Sequence, residues 1–322
     1  MTYLDLKLEW ESEQDYIVCN TSGSTGTPTK ICLPKIQMIE SAERTNKFFR
    51  IDKSSLLYSC ISPDFIGGKM MWVRSFISNA KFLYEQPTNH PLADVETSLN
   101  IDLLSVVPSQ LKYIIENQKS LPTIKTILVG GAPLSPFLKQ KVVESGLNVY
   151  ESYGMTETAS HIALRKVRES EYPFNTLPGI TVEEYDGRLK INIGSNQSYL
   201  TNDVAKIITE TEFYILGRID NVVNSGGIKI NVEKLESMTS IDDDIKVAFT
   251  SIPDDKWGEA LVMVVEGGIE QLETVKDRVR NILTNYLKPK FYLPIDSLPL
   301  TQNGKLNRSE LKDFAIRSCA IF

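Results

Sequence analysis

The chain has 322 residues, of which 42% are hydrophobic and 24% charged, so it is long enough for about two globular domains. A net charge of −6 argues against a nucleic-acid-binding surface spread over the protein. Its four cysteines form no Cys-x-x-Cys pair, which leaves no signal for a zinc site or a disulfide framework. No apolar run approaches the ~20 residues that cross a bilayer, and the acidic N-terminus is unlike a signal peptide, so we expect a cytoplasmic protein.

Short apolar runs alternate with helical patterns through the first half of the chain. The expected strands are 16–19, 56–61, 81–84, 103–107, 124–129 and 148–151, and the expected helices are 36–49, 69–77, 109–117 and 136–145. This alternation is typical of an α/β domain with a mostly parallel sheet. Gly131 and Ala132 follow an expected strand and precede an expected helix. They should therefore lie at the carboxyl end of the sheet, where such sheets bind ligands.

The pattern changes after Pro178. Short strands expected at 187–193 and 213–216 indicate a small β subregion. The last part of the chain predicts strands at 246–251, 260–265 and 291–294 and a helix at 274–287. These elements are typical of a small α+β domain of about one hundred residues.

A segment rich in hydroxyls and glycine follows the first expected strand. Its candidate phosphate-binding residues are Thr21, Ser22, Gly23, Ser24, Thr25, Gly26 and Lys30. Glycines let a backbone approach an anion closely, hydroxyls donate to phosphate oxygens, and a lysine adds a compact positive charge. The spacing fits neither the Walker A motif nor the dinucleotide fingerprint. By composition alone, a flexible linker is about as good an interpretation.

Three further motifs follow in chain order. They are Tyr-Gly-Met-Thr-Glu-Thr at 153–158, Gly-Arg-Ile-Asp at 217–220 with Gly-Gly-Ile-Lys-Ile at 226–230, and Pro-Leu-Thr-Gln-Asn-Gly-Lys-Leu-Asn-Arg at 299–308. With 21–30 they resemble, in order and over nearly the whole chain, the motifs of the adenylate-forming superfamily, which includes acyl-CoA synthetases. The resemblance implies an ATP- and acyl-binding domain over residues 1–219, a hinge at Asp220 and a mobile C-terminal domain over residues 221–322.

The same resemblance implies roles for individual residues in a reaction that uses ATP, Mg²⁺ and CoA. The ATP-binding set comprises the 21–30 residues named above together with Gly131, Ala132, Tyr153, Asp203 and Arg218, of which Tyr153 would stack on adenine and Asp203 would hold the ribose. The catalytic set is Lys305, Glu157 and Thr156, in which Glu157 would bind the metal, since carboxylate oxygens suit magnesium. After rotation about Asp220, the loop carrying Gly226, Gly227 and Lys229 would replace Lys305 and serve CoA. Without this context, Lys305 would be an exposed loop lysine, and Arg218 could form an ordinary surface ion pair.

The acid substrate is indicated by two local stretches. Residues 67–74 and 153–165 look like those of the 2-succinylbenzoate–CoA ligases of menaquinone synthesis. Such an acid keeps a second carboxylate, which needs a cation or donors when it is buried. The candidate substrate-binding residues are Lys69, Arg74, Ser160 and His161, although His161 could be an ordinary core histidine. A ligase for another aromatic or short-chain acid, and a nucleotide-binding module without turnover, stay open as alternatives.

The chain departs from the superfamily in two ways. Only twenty residues precede the 21–30 segment, so we expect an N-terminally shortened form in which a first sheet-containing subdomain is absent or much reduced. Asn202 stands where the superfamily usually has glycine, immediately before Asp203. The expected partners are small molecules, with neither nucleic acid nor membrane, and a homo-oligomer is possible.

Overall fold

The computed structural model describes residues 1–20, 29–239, 245–301 and 305–320. The helices are α1 Tyr3–Glu11, α2 Lys35–Phe49, α3 Ile66–Ser78, α4 Pro108–Asn117, α5 Pro136–Ser145, α6 Val232–Thr239, α7 Ile269–Ile282 and α8 Arg308–Cys319. The strands are β1 Tyr16–Asn20, β2 Lys30–Pro34, β3 Leu56–Ser59, β4 Lys81–Tyr84, β5 Asn100–Ile101, β6 Leu103–Val106, β7 Thr123–Ile124, β8 Ile127–Val129, β9 Val149–Met155, β10 Ser160–Lys166, β11 Phe174–Thr176, β12 Ile180–Tyr185, β13 Arg188–Ile193, β14 Gln197–Leu200, β15 Asp203–Thr209, β16 Glu212–Arg218, β17 Val222–Ser225, β18 Ile228–Asn231, β19 Val247–Asp254, β20 Gly258–Glu266 and β21 Phe291–Ile295.

A nine-stranded sheet forms the centre of the described structure, in the order β15-β16-β11-β10-β9-β8-β6-β3-β4. Strands β9, β8, β6, β3 and β4 run parallel, and the remaining strands extend the sheet in antiparallel fashion. Strands β3 and β6 are buried along their whole length, as expected when helices cover both faces of a parallel sheet. The predicted α/β fold is confirmed, and the segments that follow β6, β8 and β9 meet at one edge of the sheet.

Apolar side chains cover both faces of this sheet. On one face, Leu111 of α4 and Leu138 of α5 join the side chains of the parallel strands in one cluster. On the other face, Met71 of α3 packs in a second cluster with β10 and with the three-stranded sheet formed by β12, β13 and β14. This three-stranded sheet forms a small β subregion and contains the strand expected at 187–193, whereas the strand expected at 213–216 is part of β16 in the nine-stranded sheet.

The N-terminal segment, residues 1–20, packs with β2 against helix α3 beside the nine-stranded sheet. Strands β1 and β2 make an antiparallel hairpin of their own, so the apolar run at 16–19 is a strand outside the main sheet. Helix α1, which we did not predict, packs Leu6 and Trp10 into a cluster with this hairpin and α3. The Tyr3 hydroxyl donates to the Ile61 carbonyl oxygen at 2.9 Å, which fixes α1 beside the end of β3. Thr2 and Asp5 form a capping box, a sequence signal for the start of α1.

The C-terminal part is a separate α+β unit. Strands β18, β17, β20 and β19 form its sheet, and β21 pairs in parallel with β20. Helices α6 and α7 cover one face, and α8 packs Leu311 and Ala315 onto the other. The helix expected at 274–287 was misplaced: it begins after Gly268, whose N–H donates to the Gln271 side chain, and it ends where Leu283 turns extended. Among the described residues, no helix is long and apolar enough to span a membrane.

Candidate active site

One face of α2 holds the segment that carries the 153–158 motif. The Gln37 amide donates to the Glu157 carbonyl oxygen at 2.7 Å, and the Ser41 hydroxyl donates to the Ala159 carbonyl oxygen at 2.8 Å. One turn further on, Thr45 lies 3.0 Å from His161 Nε2. Residues four apart share a helix face, so these three side chains form a continuous polar stripe. Since α2 follows directly on β2, the stripe connects β2 to the 153–158 motif.

The backbone of the 153–160 segment is unusually constrained. Ala159 and Ser160 adopt φ angles of 53° and 83°, and residues other than glycine rarely adopt such positive values. A Cβ atom at Gly154 would lie 2.2 Å from the Ser160 carbonyl oxygen, so only glycine fits there. Strained backbone of this kind is concentrated at functional sites, where it fixes the direction of side chains.

Glu157 meets the requirements for a metal ligand. Its side chain is half-buried, and within the described part of the chain no cation or hydrogen-bond donor pairs with its carboxylate. Thr156 is buried beside it, at 8% exposure. A partly desolvated carboxylate without a protein partner suits Mg²⁺, which takes one or two carboxylates and completes its shell with water and phosphate oxygens.

Tyr153, Asp203 and Arg218 form a connected cluster. The Tyr153 hydroxyl donates to Asp203 Oδ2 at 2.5 Å, and Arg218 Nη1 lies 3.3 Å from Asp203 Oδ1. Asp203 and Arg218 are cross-strand partners in β15 and β16, which explains how residues fifteen apart meet. Burial and then the Asp203 charge raise the pKa of Tyr153 well above its ordinary value, so the phenol stays a donor. Its ring packs edge-on against Phe213, at 5.4 Å between centroids.

Lys305 of the C-terminal unit approaches this cluster. Burial and then the charge of Arg218 lower the pKa of Lys305, while Asp203 acts in the opposite direction. The position of Lys305 is fixed through Thr301, because the Thr301 N–H donates to the Lys305 carbonyl oxygen at 2.7 Å and the Lys305 N–H donates to Thr301 Oγ1 at 3.2 Å. The structure thus brings Lys305, of the 299–308 motif, close to the cluster that joins the 153–158 and 217–220 motifs.

Hydrogen bonds fix the predicted hinge residue, Asp220, and the residues on either side of it. Arg218 donates to Asp220 through Nε at 2.9 Å and through Nη2 at 2.7 Å. Burial would raise the pKa of Asp220, but these bonds outweigh it and lower the pKa. Glu233 of α6 accepts from the Arg218 backbone N–H at 2.8 Å and from the Asn221 side-chain amide at 2.6 Å, so this carboxylate binds the chain on both sides of Asp220.

Arg74 is a buried cation, 1% exposed. Its Nη2 atom lies 3.3 Å from Ser160 Oγ and 3.3 Å from His161 Nδ1, and its Nε atom has no hydrogen-bond partner. No carboxylate pairs with it in the described ranges. Burial lowers the pKa of Arg74 to about 9, and because a buried unpaired charge is unfavourable, the site favours an anion.

Lys69 lies apart from the other candidate substrate residues. It is 2% exposed, and its Nζ atom lies 2.7 Å from Met1 Sδ beneath α1. Burial lowers its pKa, and the carboxylates near it are Glu9 and Asp64 rather than any group around Arg74. Ser160 and His161 are therefore the predicted substrate residues that the structure groups with Arg74.

The loop expected to serve CoA is a tight hairpin. Gly226 and Gly227 join β17 to β18 with φ angles of 60° and 82°, the geometry of a two-residue hairpin turn. A Cβ atom at Gly226 would lie 2.5 Å from the Trp257 ring, and the Gly226 N–H donates to the Trp257 carbonyl oxygen at 2.8 Å. Lys229 is exposed on β18.

The remaining nucleotide-binding candidates lie at the carboxyl edge of the nine-stranded sheet, in the separate β1–β2 pair, or outside the described residues. Gly131 and Ala132 are exposed after β8, and the segment is tied to β9 because Glu151 accepts from the Leu134 N–H at 3.0 Å. Lys30 is exposed at the start of β2. The candidates Thr21, Ser22, Gly23, Ser24, Thr25 and Gly26 lie outside the described residues.

Sequence reasoning missed the α2 stripe and Trp257. The signal for the stripe was available, since Gln37, Ser41 and Thr45 recur at the spacing of one helix face. Polar residues at this spacing usually mark the solvent face of a helix, whereas here all three side chains are buried. Trp257 carried no signal, because its contact with Gly226 joins residues that are distant in the chain.

Comparisons with known proteins identify the family. Residues 238–305 match the AMP-binding enzyme C-terminal domain. The chain is 27% identical to a 2-succinylbenzoate–CoA ligase of Staphylococcus epidermidis, over 91% of this chain and 68% of that protein, and 25% identical to one of Lactococcus lactis, over 96% and 73%.

Solved structures of acyl-CoA synthetases share the fold of this chain. An acyl-CoA synthetase (AMP-forming)/AMP-acid ligase II-like protein of Dyadobacter fermentans is 30% identical, with a TM-score of 0.61 over 95% of this chain and 91% of that one. The O-succinylbenzoate coenzyme A synthetase of Bacillus subtilis, solved with ATP and magnesium, shares the fold at 22% identity, with a TM-score of 0.79 over 91% and 69%. Since residues 5–188, more than half of the chain, match the AMP-binding enzyme family itself, this protein belongs to that family.

Proposed function

We propose that this protein is an ATP-dependent acid–CoA ligase that converts 2-succinylbenzoate to its CoA thioester through an acyl-adenylate. The observation that carries the choice of acid is the environment of Arg74. A buried guanidinium lacks a carboxylate partner among the described residues and stands behind the half-buried Ser160 hydroxyl, three residues after Glu157. An acid with a second carboxylate would supply the missing negative charge.

In the first half-reaction a carboxylate oxygen of the acid would attack the α-phosphate of ATP, so that the acyl-adenylate forms while the bond to the β-phosphate breaks and pyrophosphate leaves. Asp203 would accept from the ribose hydroxyls, with its orientation fixed by Tyr153 and Arg218. Glu157 would hold Mg²⁺, which neutralises phosphate charge when bound. Lys305, as an ammonium near Asp203 and Arg218, would donate to both the acid carboxylate and the phosphate and so stabilise the charge that develops between them.

The acid would lie along the 156–161 segment. Its reacting carboxylate would reach the phosphate beside Thr156, while its second carboxylate would accept from Ser160 Oγ. Since Ser160 Oγ accepts from Arg74 Nη2, its own proton is free to point toward the substrate. The positive charge of Arg74 behind the hydroxyl favours a carboxylate over a neutral group at this position.

In the second half-reaction the CoA thiol, as it loses its proton, would attack the acyl carbon of the adenylate, so that the thioester forms and AMP leaves. We assign residues 1–219 to the ATP- and acyl-binding domain and residues 221–322 to a domain that rotates at Asp220. In the rotated arrangement, the hairpin of Gly226, Gly227 and Lys229 would replace Lys305 at the site. Gly227 leaves room beside the backbone for the thiol arm of CoA, because nothing lies within 4 Å of the position that a Cβ atom would take there. The cytoplasm is the compartment we propose.

Acid-dependent exchange of pyrophosphate into ATP tests this proposal. The panel should contain 2-succinylbenzoate, analogues that lack one or the other carboxylate, benzoate and short-chain acids. We expect exchange with 2-succinylbenzoate and much weaker exchange with the analogue that has lost the non-reacting carboxylate. Exchange with another acid alone would favour the rival ligase, and no exchange with any acid would favour a nucleotide-binding module.

A further inference from the structure

The ring of His161 is enclosed in a hydrogen-bonded chain. It is 4% exposed and lies in β10 directly after Ser160. Its Nδ1 atom lies 3.3 Å from Arg74 Nη2, and its Nε2 atom lies 3.0 Å from Thr45 Oγ1. Both ring nitrogens therefore have protein partners, which leaves neither for a substrate.

The direction of each bond follows from the chemistry of the partners. A guanidinium can only donate, so Nδ1 accepts from Arg74 and carries no proton. The Thr45 hydroxyl donates its proton to the Ser41 carbonyl oxygen at 3.1 Å, so it accepts from Nε2–H. His161 is thereby fixed as a neutral ring protonated at Nε2. Burial and then the Arg74 charge hold the pKa of His161 well below its ordinary value, which agrees with this state.

We propose that His161 and Thr45 are positioning residues that orient the Arg74 guanidinium toward Ser160 and so give the acid site its selectivity for a second carboxylate. The selectivity part of this proposal rests on the proposed function. The helix that carries Thr45 also holds the Glu157 and Ala159 carbonyl oxygens. Helix α2 therefore supports both Arg74, through His161, and the segment that carries Glu157 and Ser160.

The hydrogen-bonded chain from Thr45 through His161 to Arg74 is called the relay below. Two substitutions at Thr45 test this relay kinetically. Thr45→Val keeps the shape of the side chain but removes the acceptor for Nε2–H, whereas Thr45→Ser keeps the hydroxyl. We expect Thr45→Val to raise the KM for the dicarboxylic acid about tenfold, with little change in kcat or in the KM for ATP. Thr45→Ser should stay within about twofold of the unchanged protein. An equal effect on the analogue that lacks the second carboxylate, or no effect of Thr45→Val, would overturn the selectivity role.

The tautomer can be measured without any turnover. The chain has only two histidines, so ¹⁵N spectra of ring-labelled protein are assigned with His90→Asn, a change at an exposed residue. We expect His161 to be neutral with its proton on Nε2 at pH 7, and the tautomer signal to change in Thr45→Val but not in Thr45→Ser. A proton on Nδ1, or identical spectra in all variants, would disprove the relay. The tautomer tests the relay whichever acid the enzyme activates, so its outcome is separable from that of the exchange assay.

Discussion

The Tyr153 hydroxyl and the Asp203 carboxylate lie 2.5 Å apart, which joins the 153–158 motif to the residue that we propose binds the ribose. Burial keeps the phenol protonated, so it acts as a fixed donor that orients Asp203. The other oxygen of Asp203 faces Arg218, and Lys305 approaches from the C-terminal unit. Groups from three distant segments of the chain converge at this contact.

Lys305→Ala should separate the two half-reactions. We expect the rate of adenylation to fall by roughly 10²–10³, because one donor to the developing charge is lost. Conversion of a supplied acyl-adenylate to the thioester should remain near the rate of the unchanged protein. The matched control is Lys276→Ala, which removes an α7 lysine paired with Glu273. If both half-reactions fell equally, the proposed rotation about Asp220 would be wrong.

The pH dependence of adenylation should report on Lys305. The charged ammonium is fully present at low pH and is lost as the pH rises through its pKa, which burial and Arg218 place below the ordinary value of ~10.4. The alkaline loss of activity should therefore occur at a lower pH than for a free lysine. Arginine stays protonated throughout this range, so Lys305→Arg should shift the loss upward. If adenylation were lost over the same alkaline pH range in the unchanged protein and in Lys305→Arg, Lys305 would be excluded as the origin of that loss.

Arg74→Ala should weaken binding of the dicarboxylic acid. Removing the cation should raise the KM for 2-succinylbenzoate roughly thirtyfold or more and leave the KM for ATP nearly unchanged. Arg168→Ala, at an exposed arginine stacked on Tyr172, is the control for general loss of positive charge. Titration of the acid at saturating ATP makes the comparison. An unchanged KM for the acid would remove Arg74 from the acid site.

Glu157→Gln should change the magnesium requirement. The amide keeps the shape of the side chain but loses its charge, so we expect the Mg²⁺ concentration for half-maximal exchange to rise roughly 10- to 100-fold. Glu169→Gln, at an exposed position beyond β10, should leave it unchanged. Should the two variants show the same magnesium dependence, Glu157 is not the metal ligand.

Gly226 and Gly227 offer a matched pair for the CoA step. Alanine at either position costs about 1 kcal/mol because both glycines have positive φ angles. Only at Gly226 would the new methyl group meet the Trp257 ring. We expect thioester formation from acyl-adenylate to be roughly tenfold slower in Gly226→Ala than in Gly227→Ala, with adenylation similar in both. Equal rates would show that Trp257 does not position this hairpin.

Much of this protein could be predicted from local sequence. The βα alternation predicted the parallel part of the sheet, and the motifs predicted the family; both predictions are confirmed. The boundaries of α7 and the existence of α1 were not predicted. Cap geometry at Gly268 decided the first, and packing of Leu6 and Trp10 against α3 stabilises the second.

The sequence by itself determined which chemical groups are present: hydroxyls, a carboxylate proposed to bind the metal, a lysine and an arginine at recognisable positions. The tertiary structure alone decided which of them meet. Lys69 and Arg74 lie five residues apart on α3, yet one is buried under α1 and the other faces Ser160. Local patterns fix the identity and spacing of side chains, but burial and the lack of a counter-ion depend on segments distant in the chain. The acid site is therefore a property of the fold.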